Sequence, residues 1–577
     1  MNTNESDDCN CEDNLCSPIL SINELLNNRH EKLRWCDMVQ PLVKRSSPRF
    51  PTRNFYSMDN DIVMPDENTR PEVIVCHDYK GNYLDDKFIN GTVKWEEYRF
   101  YHWSCVDIFC YFSHNFITIP TLQYLNAAHI NGVKVIGTII VEGEDGTKKL
   151  NEILTDREYV ENVANSLVEI AKQLNFEGWL LNIEVPVKIS KLDLLKHFVH
   201  YLTKKTRETI EGGRIIWYDS VSAISGALLW QNEMNEHNEE FFTRCDGIFT
   251  NYNWSIQHLE RTSKLIDEKY RDRRKNVFFG IDVFGRGQMA GFKSNETLAK
   301  SAAFQFSTAI FAPGWTSETI NTKIGFDGLT VGTEKYKTRF NDIFLSRNDT
   351  FWYNLYNYFY IFGPKSLPFV TNFCIGSGKN FYRLGKVIKG NWFNLKNQGF
   401  QPSMPSSYGQ FTHYYDDAFN GGSCLLIDTN ELIRIFSCEF SCKDGLIFSY
   451  TFKKENEQND LEVHLNLLNT QNNRGTKIVC RQVEHSSNDI ASLTQDGIQS
   501  VNIFLSNKGY MPVPEFINEW QTRFFLLDFN RLLSKDIIIT DIGVQKIHRG
   551  RVLLGQIGFY SASDFENEIV NIRKINM

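Results

Sequence analysis

The stretch GWLLNIE, residues 178–184, has the composition of a buried β-strand that ends in polar side chains. Its residues 179–181 are all apolar, as expected where both faces of a parallel sheet are covered. Asn182 and Glu184 follow, two residues apart. Because side chains alternate along a strand, these two point to the same face. The segment therefore predicts a parallel strand that presents an amide and a carboxylate together at its carboxyl end.

Seven further apolar runs of this kind occur between residues 73 and 312, with polar or helix-like segments between them. The eight runs are VIVCHD (73–78), VDIFCYF (106–112), VKVIGTII (133–140), GWLLNIE (178–184), RIIWYDS (214–220), DGIFTNYNW (246–254), NVFFGIDVFG (276–285) and STAIFA (307–312). Eight strands that alternate with helices over roughly 240 residues are typical of a (β/α)8 TIM barrel, an α/β fold. A doubly wound open sheet is less favoured, because no glycine-rich phosphate motif follows the first strand.

The segment between the third and fourth runs shows what the connecting helices should look like. Thr155 and Glu158 predict a capping box at a helix start. One helical face then collects the apolar side chains of Val160, Val163, Leu167, Ile170, Ala171 and Leu174. A helix with a single apolar stripe packs against a sheet, as the outer layer of a barrel requires.

The pattern changes after residue 365. GNWFNLKNQGFQPSMPSS (390–407) is rich in Gly, Asn and Pro, and closely spaced short strands follow it. Such strands, with few helical stripes between them, predict an antiparallel, jelly-roll-like β-sandwich. We expect this sandwich to support the barrel rather than to bind sugar. The predicted domains are an N-terminal leader, partly disordered, at residues 1–65, the barrel at 66–365, and a linker with the β-sandwich at 366–577.

Composition narrows the class of protein. The 577 residues include 62 basic and 70 acidic side chains, a formal charge of −8 without segregation of sign, which argues against nucleic-acid binding. No run of about 18 apolar residues predicts a membrane span. The acidic start MNTNESDDCNCEDNLC (1–16) lacks the basic and apolar segments of a secretory signal. We therefore expect no membrane association, and the sequence leaves protein partners unknown.

The 13 cysteines are odd in number and scattered, and four of them, Cys76, Cys105, Cys110 and Cys374, lie in apolar segments. Free buried thiols in a reducing compartment fit this pattern best, so we expect a cytosolic protein. The three cysteines within residues 9–16 are an alternative metal site. That alternative is less favoured, because no second cluster with zinc spacing completes it.

In (β/α)8 barrels the functional groups lie at the carboxyl ends of the strands. The residues expected there are His77, Asp78, Ser113, His114, Glu142, Asn182, Glu184, Tyr218, Asp219, Asn251, Tyr252, Trp254, Asp282, Arg286 and Trp315. Any one of them has an ordinary structural role available, such as capping a helix. All eight strands end in this way, however, and carboxylates, amides and aromatic rings together suit a sugar ligand.

The pair on the fourth strand suggests a particular chemistry. Ordinary glycosidases use two carboxylates, about 5 Å apart when the configuration is retained. Here an amide accompanies Glu184, and Asn182 cannot be a nucleophile, although it can orient and stabilise another amide. The nucleophile would then be the 2-acetamido oxygen of the substrate, with Glu184 as general acid. A structural salt bridge of Glu184 with Arg286 or Lys188 is the alternative, and it stays open at this point.

The stretch FEGWLLNIE (176–184) resembles the signature of glycoside hydrolase family 85, the endo-β-N-acetylglucosaminidases. Other segments agree in order with that family, over roughly residues 70–405. They are CHDYKGNYLDD (76–86), FYHWSCVDIFCYFSHNFITIP (100–120), AAHINGVKVIGTIIVE (127–142), WYDSV (217–221), FTNYNW (249–254), FGIDVFGRG (279–287), IFAPGWTSE (310–318) and NFCIGSGKNFYRLGKVIKGNWFNLKNQGFQPS (372–403). The final part of the chain resembles the β-sandwich of the family more loosely.

The resemblance implies cleavage, with retention, of the β-1,4 bond between the two N-acetylglucosamine (GlcNAc) units of the N-glycan core. It implies N-linked glycans and free oligosaccharides as ligands, transglycosylation as a side activity, and neither a cofactor nor a metal. The implied catalytic residues are Glu184, Asn182 and Tyr218. The implied substrate-binding residues are His77, His114, Glu142, Trp230, Asn251, Tyr252, Trp254, Asp282, Arg286 and Trp315, with Trp230 and Trp254 as aromatic walls. One departure is Gly143, where the family often has Trp, so the preferred type of glycan is left open.

Three alternatives remain beside this interpretation. A chitinase-like hydrolase shares the barrel and the substrate-assisted route, but such enzymes place several acidic residues on the fourth strand. A glycan-binding protein with an inactive barrel would be expected to lack Glu184. A metal-dependent barrel enzyme would use His77, Asp78 and His114, although no His-x-His pair is present on one strand.

Overall fold

The computed structural model describes residues 15–28, 35–51, 62–63, 66, 68–404, 410–443, 445–472, 474–481, 490–528 and 536–565. The chain forms two compact units that alternate along the sequence. Unit 1 comprises residues 1–42, 66–92 and 106–344, and unit 2 comprises residues 43–65, 93–105 and 345–577. The predicted domain boundaries after residues 65 and 365 are not tested by this division and stay predictions.

Unit 1 contains a closed barrel of eight parallel strands. They are β1 (Val73–His77), β2 (Ile108–Tyr111), β3 (Lys134–Glu142), β4 (Gly178–Glu184), β5 (Arg214–Tyr218), β6 (Gly247–Thr250), β7 (Val277–Asp282) and β8 (Ser307–Phe311). Each strand pairs in parallel with the next, and β8 pairs with β1. The strand Ile117–Thr118 adds an antiparallel pair to β3. Seven strands lie within the predicted runs, and β3 extends two residues beyond its run, to Glu142, which confirms the TIM barrel.

Helices surround the strands of unit 1. They are Ile22–Asn28, Leu122–Ile130, Gly143–Ile153, Arg157–Gln173, Ile189–Thr209, Glu239–Arg244, Ile256–Lys269, Ser294–Ala303, Trp315–Glu318 and the start of Glu334–Tyr356, which continues into unit 2. Short 3-10 helices occur in both units at Cys36–Met38, Asp85–Lys87, Trp103–Cys105, Arg271–Asn276, Leu395–Asn397 and Ala562–Phe565. Among the described residues, no helix has the length and the apolar character needed to cross a membrane.

The helix Arg157–Gln173 tests the predicted stripe and cap. Its predicted apolar face is buried, as expected. The predicted capping box is wrong by one residue, because Asp156 is the cap and accepts a hydrogen bond from the backbone N of Tyr159 at 2.8 Å. The hydroxyl of Thr155 instead donates to the carbonyl oxygen of Glu152.

The inside of the barrel is filled by alternate residues of the strands. Its apolar core includes Ile140, Leu180, Ile216, Phe249 and Phe278. Since side chains alternate with period two, residues at even spacing beyond these point into the mouth of the barrel at its carboxyl end. These residues are Glu142, Asn182, Glu184, Tyr218, Asn251 and Asp282.

Unit 2 contains two antiparallel sheets. The larger sheet consists of Phe369–Thr371, Phe411–Tyr414, Cys424–Ile427, Leu446–Lys454, Ile490–Ser492, Phe516–Ile517, Trp520–Leu527 and Val552–Ser561, and the smaller one of Ile433–Ser441, Asp460–Asn469, Arg474–Cys480 and Ile537–Ile547. One apolar core joins them, with Phe448 and Phe559 from the larger sheet and Phe436 and Leu465 from the smaller. The antiparallel β-sandwich is confirmed. Three two-stranded ladders also belong to this unit: Phe50–Pro51 with Ile62–Val63, Ser377–Gly378 with Trp392–Phe393, and Phe381–Arg383 with Lys386–Lys389.

The helix Gln495–Asn507 was not predicted. Its residues Ile498, Val501 and Leu505 pack in a second apolar cluster with Phe524 and Tyr560 of the larger sheet. The helix therefore covers part of the larger sheet on the face opposite the core that the two sheets share. A helix of 13 residues between short strands is easily missed, because its apolar stripe contains only three buried large residues.

The predicted leader is described only in part. Residues 22–28 form a helix, and the backbone of Ile19 exchanges hydrogen bonds with Ile117 of unit 1. The described cysteines are all buried thiols that take part in no disulfide, as predicted. Cys16 is one of them, whereas Cys9 and Cys11 of the alternative metal site lie outside the described residues.

Candidate active site

The carboxyl end of β4 brings Asn182 and Glu184 into contact. Nδ2 of Asn182 donates a hydrogen bond to Oε2 of Glu184 at 3.1 Å. The two side chains share one face of the strand, as predicted from their spacing. Because the nitrogen of the Asn182 amide faces Glu184, its carbonyl oxygen Oδ1 faces away and remains an acceptor.

The second carboxylate oxygen of Glu184 has a different partner. Nε1 of Trp230 donates to Oε1 at 3.0 Å, although the Trp230 side chain is 44% exposed. Within the described part of the chain, no lysine or arginine nitrogen lies within 4.0 Å of this carboxylate. The alternative salt bridge with Arg286 or Lys188 is therefore wrong, since Arg286 pairs with Asp282, with Nε 2.6 Å from Oδ2.

Tyr218 ends β5 inside the barrel mouth. Its hydroxyl donates to Oδ1 of Asn251 at 2.9 Å. Burial raises the pKa of Tyr218 well above its usual value, and the charge of Glu184 raises it further. The side chain is thus a neutral phenol. The ring of Tyr252, whose pKa burial also raises, lies 6.4 Å from that of Tyr218 between centroids.

A second charged group lies on the neighbouring strand. Nδ1 of His114 is 2.9 Å from Oε1 of Glu142, and the two side chains are 53% and 40% exposed. The hydrogen bond with Glu142 raises the pKa of His114. Glu142 pairs in register with Glu184 across β3 and β4, so a second carboxylate is present nearby, engaged with an imidazole.

The opposite rim of the mouth combines charge with aromatic rings. Asp282 is buried and accepts hydrogen bonds from Arg286 and from the backbone N of Phe284. The ring of Trp315 lies 6.1 Å from that of Phe292, which is 68% exposed. Polar groups next to open aromatic faces form a surface that suits a sugar ring.

Comparison of the chain with models of known protein families shows the family to which it belongs. The model of a family described as "Glycosyl hydrolase family 85" matches residues 82–381, more than half of the chain. The chain belongs to glycosyl hydrolase family 85. The match includes seven of the eight barrel strands, β2 to β8.

Two relatives of this family-85 chain, from Homo sapiens and Gallus gallus, have the same name. It is 37% identical to "Cytosolic endo-beta-N-acetylglucosaminidase" of Homo sapiens, over 68% of this chain and 52% of that protein. It is 39% identical to the protein of the same name from Gallus gallus, over 63% of this chain and 47% of that protein. The chain thus spans about half the length of the curated relatives it matches.

A solved structure supports the fold of this family member. The glycoside hydrolase domain Spr0440, Endo-D from Streptococcus pneumoniae R6, superposes with a TM-score of 0.68 and 17% identity. The likeness covers 95% of this chain and 83% of that one. At this level of identity, the superposition concerns the fold of the two chains.

Two predicted substrate-binding residues of the family-85 chain lie away from the barrel mouth. His77 is 4% exposed and packs among the rings of Tyr79, Phe109, Tyr111 and Tyr124, where burial lowers its pKa to about 3. Its neighbour Cys76 belongs to the inner core, so alternation turns His77 outward, towards the helices. The predicted contact of His77 with substrate does not agree with this position, nor does a metal site built from His77, Asp78 and His114.

Trp254 is the second residue whose position differs from the prediction. It is 2% exposed, and its indole N–H donates to the carbonyl oxygen of Gly280 at 2.8 Å. Its ring packs edge-on against Phe279. No open face remains for a sugar, so Trp254 is a packing residue in this structure and Trp230 is the more exposed tryptophan.

Two residues support the site from behind: Asp219, which the sequence placed at a strand end without a role, and Asn232, which sequence reasoning missed. Asp219 is buried and accepts hydrogen bonds from the backbone N of Asn232 at 2.7 Å and from Nδ2 of Asn238 at 3.1 Å. Burial raises the pKa of Asp219 to about 6, although those hydrogen bonds oppose the shift. Asp219 follows Tyr218 directly in WYDSV, which was the available signal. No pattern in the sequence marked Asn232.

Proposed function

We propose that this member of family 85 is an endo-β-N-acetylglucosaminidase that hydrolyses the GlcNAc-β-1,4-GlcNAc bond of the N-glycan chitobiose core. The observation that carries the proposal is the hydrogen bond between Asn182 and Glu184 at the barrel mouth. A lone acid beside an amide suits a reaction in which the sugar provides the nucleophile. The names of the human and chicken relatives support the same activity.

In the proposed first step, protonated Glu184 gives its proton to the glycosidic oxygen. The carbonyl oxygen of the substrate's 2-acetamido group attacks C1 as the C1–O bond breaks, and an oxazolinium forms. Oδ1 of Asn182 accepts the acetamide N–H and stabilises the positive charge that develops there. Asn182 acts in this way because its Nδ2 already faces Glu184.

In the second step, Glu184 accepts a proton from water, and the water oxygen attacks C1 from the face that the leaving group vacated. The oxazoline ring opens, and the acetamide is restored. Two inversions at C1 give net retention. Each step uses side chains of the chain and atoms of the substrate, so the proposal requires no cofactor.

The rim of the mouth supplies the proposed sugar contacts. The polar contacts are His114, Glu142, Asn251, Asp282 and Arg286, and the aromatic ones are Trp230, Tyr252 and Trp315. Open ring faces stack on the apolar faces of sugars, whereas carboxylates and amides accept hydrogen bonds from hydroxyl groups. N-linked glycans and free oligosaccharides are the proposed substrates, and acceptors other than water give transglycosylation.

We also propose that the protein acts in the cytosol. The relatives are named cytosolic, and the described cysteines of this chain are thiols outside disulfides, as expected in a reducing compartment.

The proposal is tested by product analysis on one high-mannose and one biantennary glycopeptide of defined structure. Mass spectrometry should find a peptide that retains a single GlcNAc and a glycan that has lost one. Proton NMR of the first turnovers should find the β-anomer of the released glycan. Release of the entire glycan from the peptide, or initial formation of the α-anomer, would reject the proposal.

A further inference from the structure

Asn232 lies in the loop that follows β5, and its backbone has a left-handed φ of +59°. Asparagine adopts this region more readily than other residues with a side chain. The backbone N–H of Asn232 donates to Oδ2 of Asp219 at 2.7 Å. The loop is thus held in a defined position directly behind the end of β5.

The amide of Asn232 has one possible orientation, because two backbone groups determine it. Its Nδ2 donates to the carbonyl oxygen of Trp230 at 3.2 Å, and its Oδ1 accepts from the backbone N–H of Asn253 at 3.1 Å. A carbonyl oxygen cannot donate and a backbone N–H cannot accept. A rotated Asn232 amide would therefore lose both hydrogen bonds.

The orientation of the Asn232 amide determines that of the Asn251 amide. Nδ2 of Asn251 donates to Oδ1 of Asn232 at 2.8 Å. The carbonyl oxygen of Asn251 consequently faces Tyr218, whose hydroxyl donates to it at 2.9 Å. Since a hydroxyl has one proton, Tyr218 presents a lone pair, and not its proton, to a ligand in the mouth.

We propose that Asn232 is a positioning residue that sets the direction of the Tyr218 hydroxyl through Asn251, so that Tyr218 accepts a hydrogen bond from the bound sugar. This inference rests on the proposed function for its effect on catalysis. Without the Asn232 amide, the Asn251 amide is free to rotate and present its nitrogen to Tyr218. The hydroxyl proton of Tyr218 would then point towards the sugar. In that orientation Tyr218 would offer a donor where the proposed arrangement needs an acceptor.

The informative variant is Asn232→Gly. Glycine adopts a positive φ without strain and keeps the backbone N–H that binds Asp219, so only the amide is removed. Asn175→Gly is the matched control. Asn175 also has a left-handed φ, of +53°, but it is exposed and lies after the helix Arg157–Gln173, where its backbone N donates to Lys172.

The first measurement is turnover of a high-mannose glycopeptide by the full chain. We expect kcat of Asn232→Gly to fall about tenfold with KM little changed, and that of Asn175→Gly to stay at the wild-type value. In a Tyr218→Phe background, Asn232→Gly should cost less than about twofold, because the hydroxyl it orients is absent. Unchanged kcat, or losses that multiply in the double variant, would overturn the inference.

The second measurement does not depend on the substrate. With 3-fluorotyrosine incorporated at position 218, the fluorine resonance should shift in Asn232→Gly and stay in place in Asn175→Gly. If the wild type cleaves no glycopeptide, the proposed function fails, whereas the fluorine resonance still decides the role of Asn232. A resonance that is the same in wild type and Asn232→Gly overturns the inference, and circular dichroism confirms that the variants are folded.

Discussion

The amide nitrogen of Asn182 lies 3.1 Å from a carboxylate oxygen of Glu184, on one face of β4. The neighbour of the candidate acid is therefore an amide, and the carboxylate on the adjacent strand, Glu142, is engaged with His114. An amide cannot attack C1 as a carboxylate does, but it can hold the substrate acetamide, which is the nucleophile of the proposed mechanism. This relationship separates the substrate-assisted route from the two-carboxylate route, and the first three predictions test it.

Glu184→Gln should abolish hydrolysis and preserve binding. Glutamine keeps the size and shape of the side chain and one of its two acceptor oxygens, but it cannot give or take the proton. We expect kcat on a high-mannose glycopeptide to fall by about 10³-fold or more, with Kd for the glycan within a few-fold of the wild type. Glu211→Gln, an exposed substitution before β5, is the control and should leave both unchanged. Near-native turnover by Glu184→Gln would exclude this residue as proton donor.

Asn182→Ala should separate the two halves of the reaction. In the proposed mechanism, formation of the oxazoline needs the Asn182 amide to hold the acetamide, so hydrolysis of the glycopeptide should fall by about 10²- to 10³-fold. A preformed sugar oxazoline has already passed that step and should still be transferred to an acceptor. Comparison of the two rates in one preparation supplies the control for folding. Loss of both in a folded variant would contradict the assigned role.

Glu142→Gln tests whether the second carboxylate is the nucleophile. A nucleophile is indispensable, whereas a rim contact is not, so we expect kcat/KM to fall by no more than about tenfold. The variant also substitutes a neutral amide for the carboxylate whose hydrogen bond and negative charge raise the pKa of His114. NMR titration should show a lower pKa for that imidazole than in the wild type, with the other histidines as internal controls. Complete inactivity with accumulation of no oxazoline would favour the two-carboxylate route.

Much of the fold follows from periodicity. Continuous apolar runs predicted the eight barrel strands, because a parallel sheet under helices is apolar on both faces. The two-residue spacing placed Asn182 and Glu184 together. The predicted substrate contact of His77 does not agree with the structure for a related reason. Cys76 faces the inside of the barrel, so its neighbour His77 must face the helices, and the sequence alone did not show which of the two faces inward. The helix cap was predicted at Thr155, whereas the structure uses the next residue, Asp156.

The support of the site could not be predicted in the same way. The connection from Asn232 to Asn251 and Tyr218 depends on a left-handed loop residue that meets the end of a different strand. Local propensity permits Asn in such a conformation without requiring it. The burial of Trp254 likewise depends on how the loop after β6 turns towards Gly280. Both are tertiary features that no local pattern encodes.

Asp219 should make the stability of the protein depend on pH. Burial raises its pKa from 3.8 to about 6, so the folded state binds a proton more tightly than the unfolded state. A raised pKa gives a stabilising contribution that is complete below the unfolded value and is lost as pH rises through the folded value. A shift of two units corresponds to about 3 kcal/mol, lost between about pH 4 and pH 7.

The measurement is urea unfolding of wild type and Asp219→Asn at several values of pH. The free energy of unfolding of the wild type minus that of Asp219→Asn should decrease from pH 4 to pH 7, because only the wild type carries the titrating carboxyl. Asp193→Asn, an exposed substitution in the helix Ile189–Thr209, is the control, and its difference from the wild type should change much less. A difference that is constant with pH for Asp219→Asn would mean that this carboxyl titrates alike in the folded and unfolded chains.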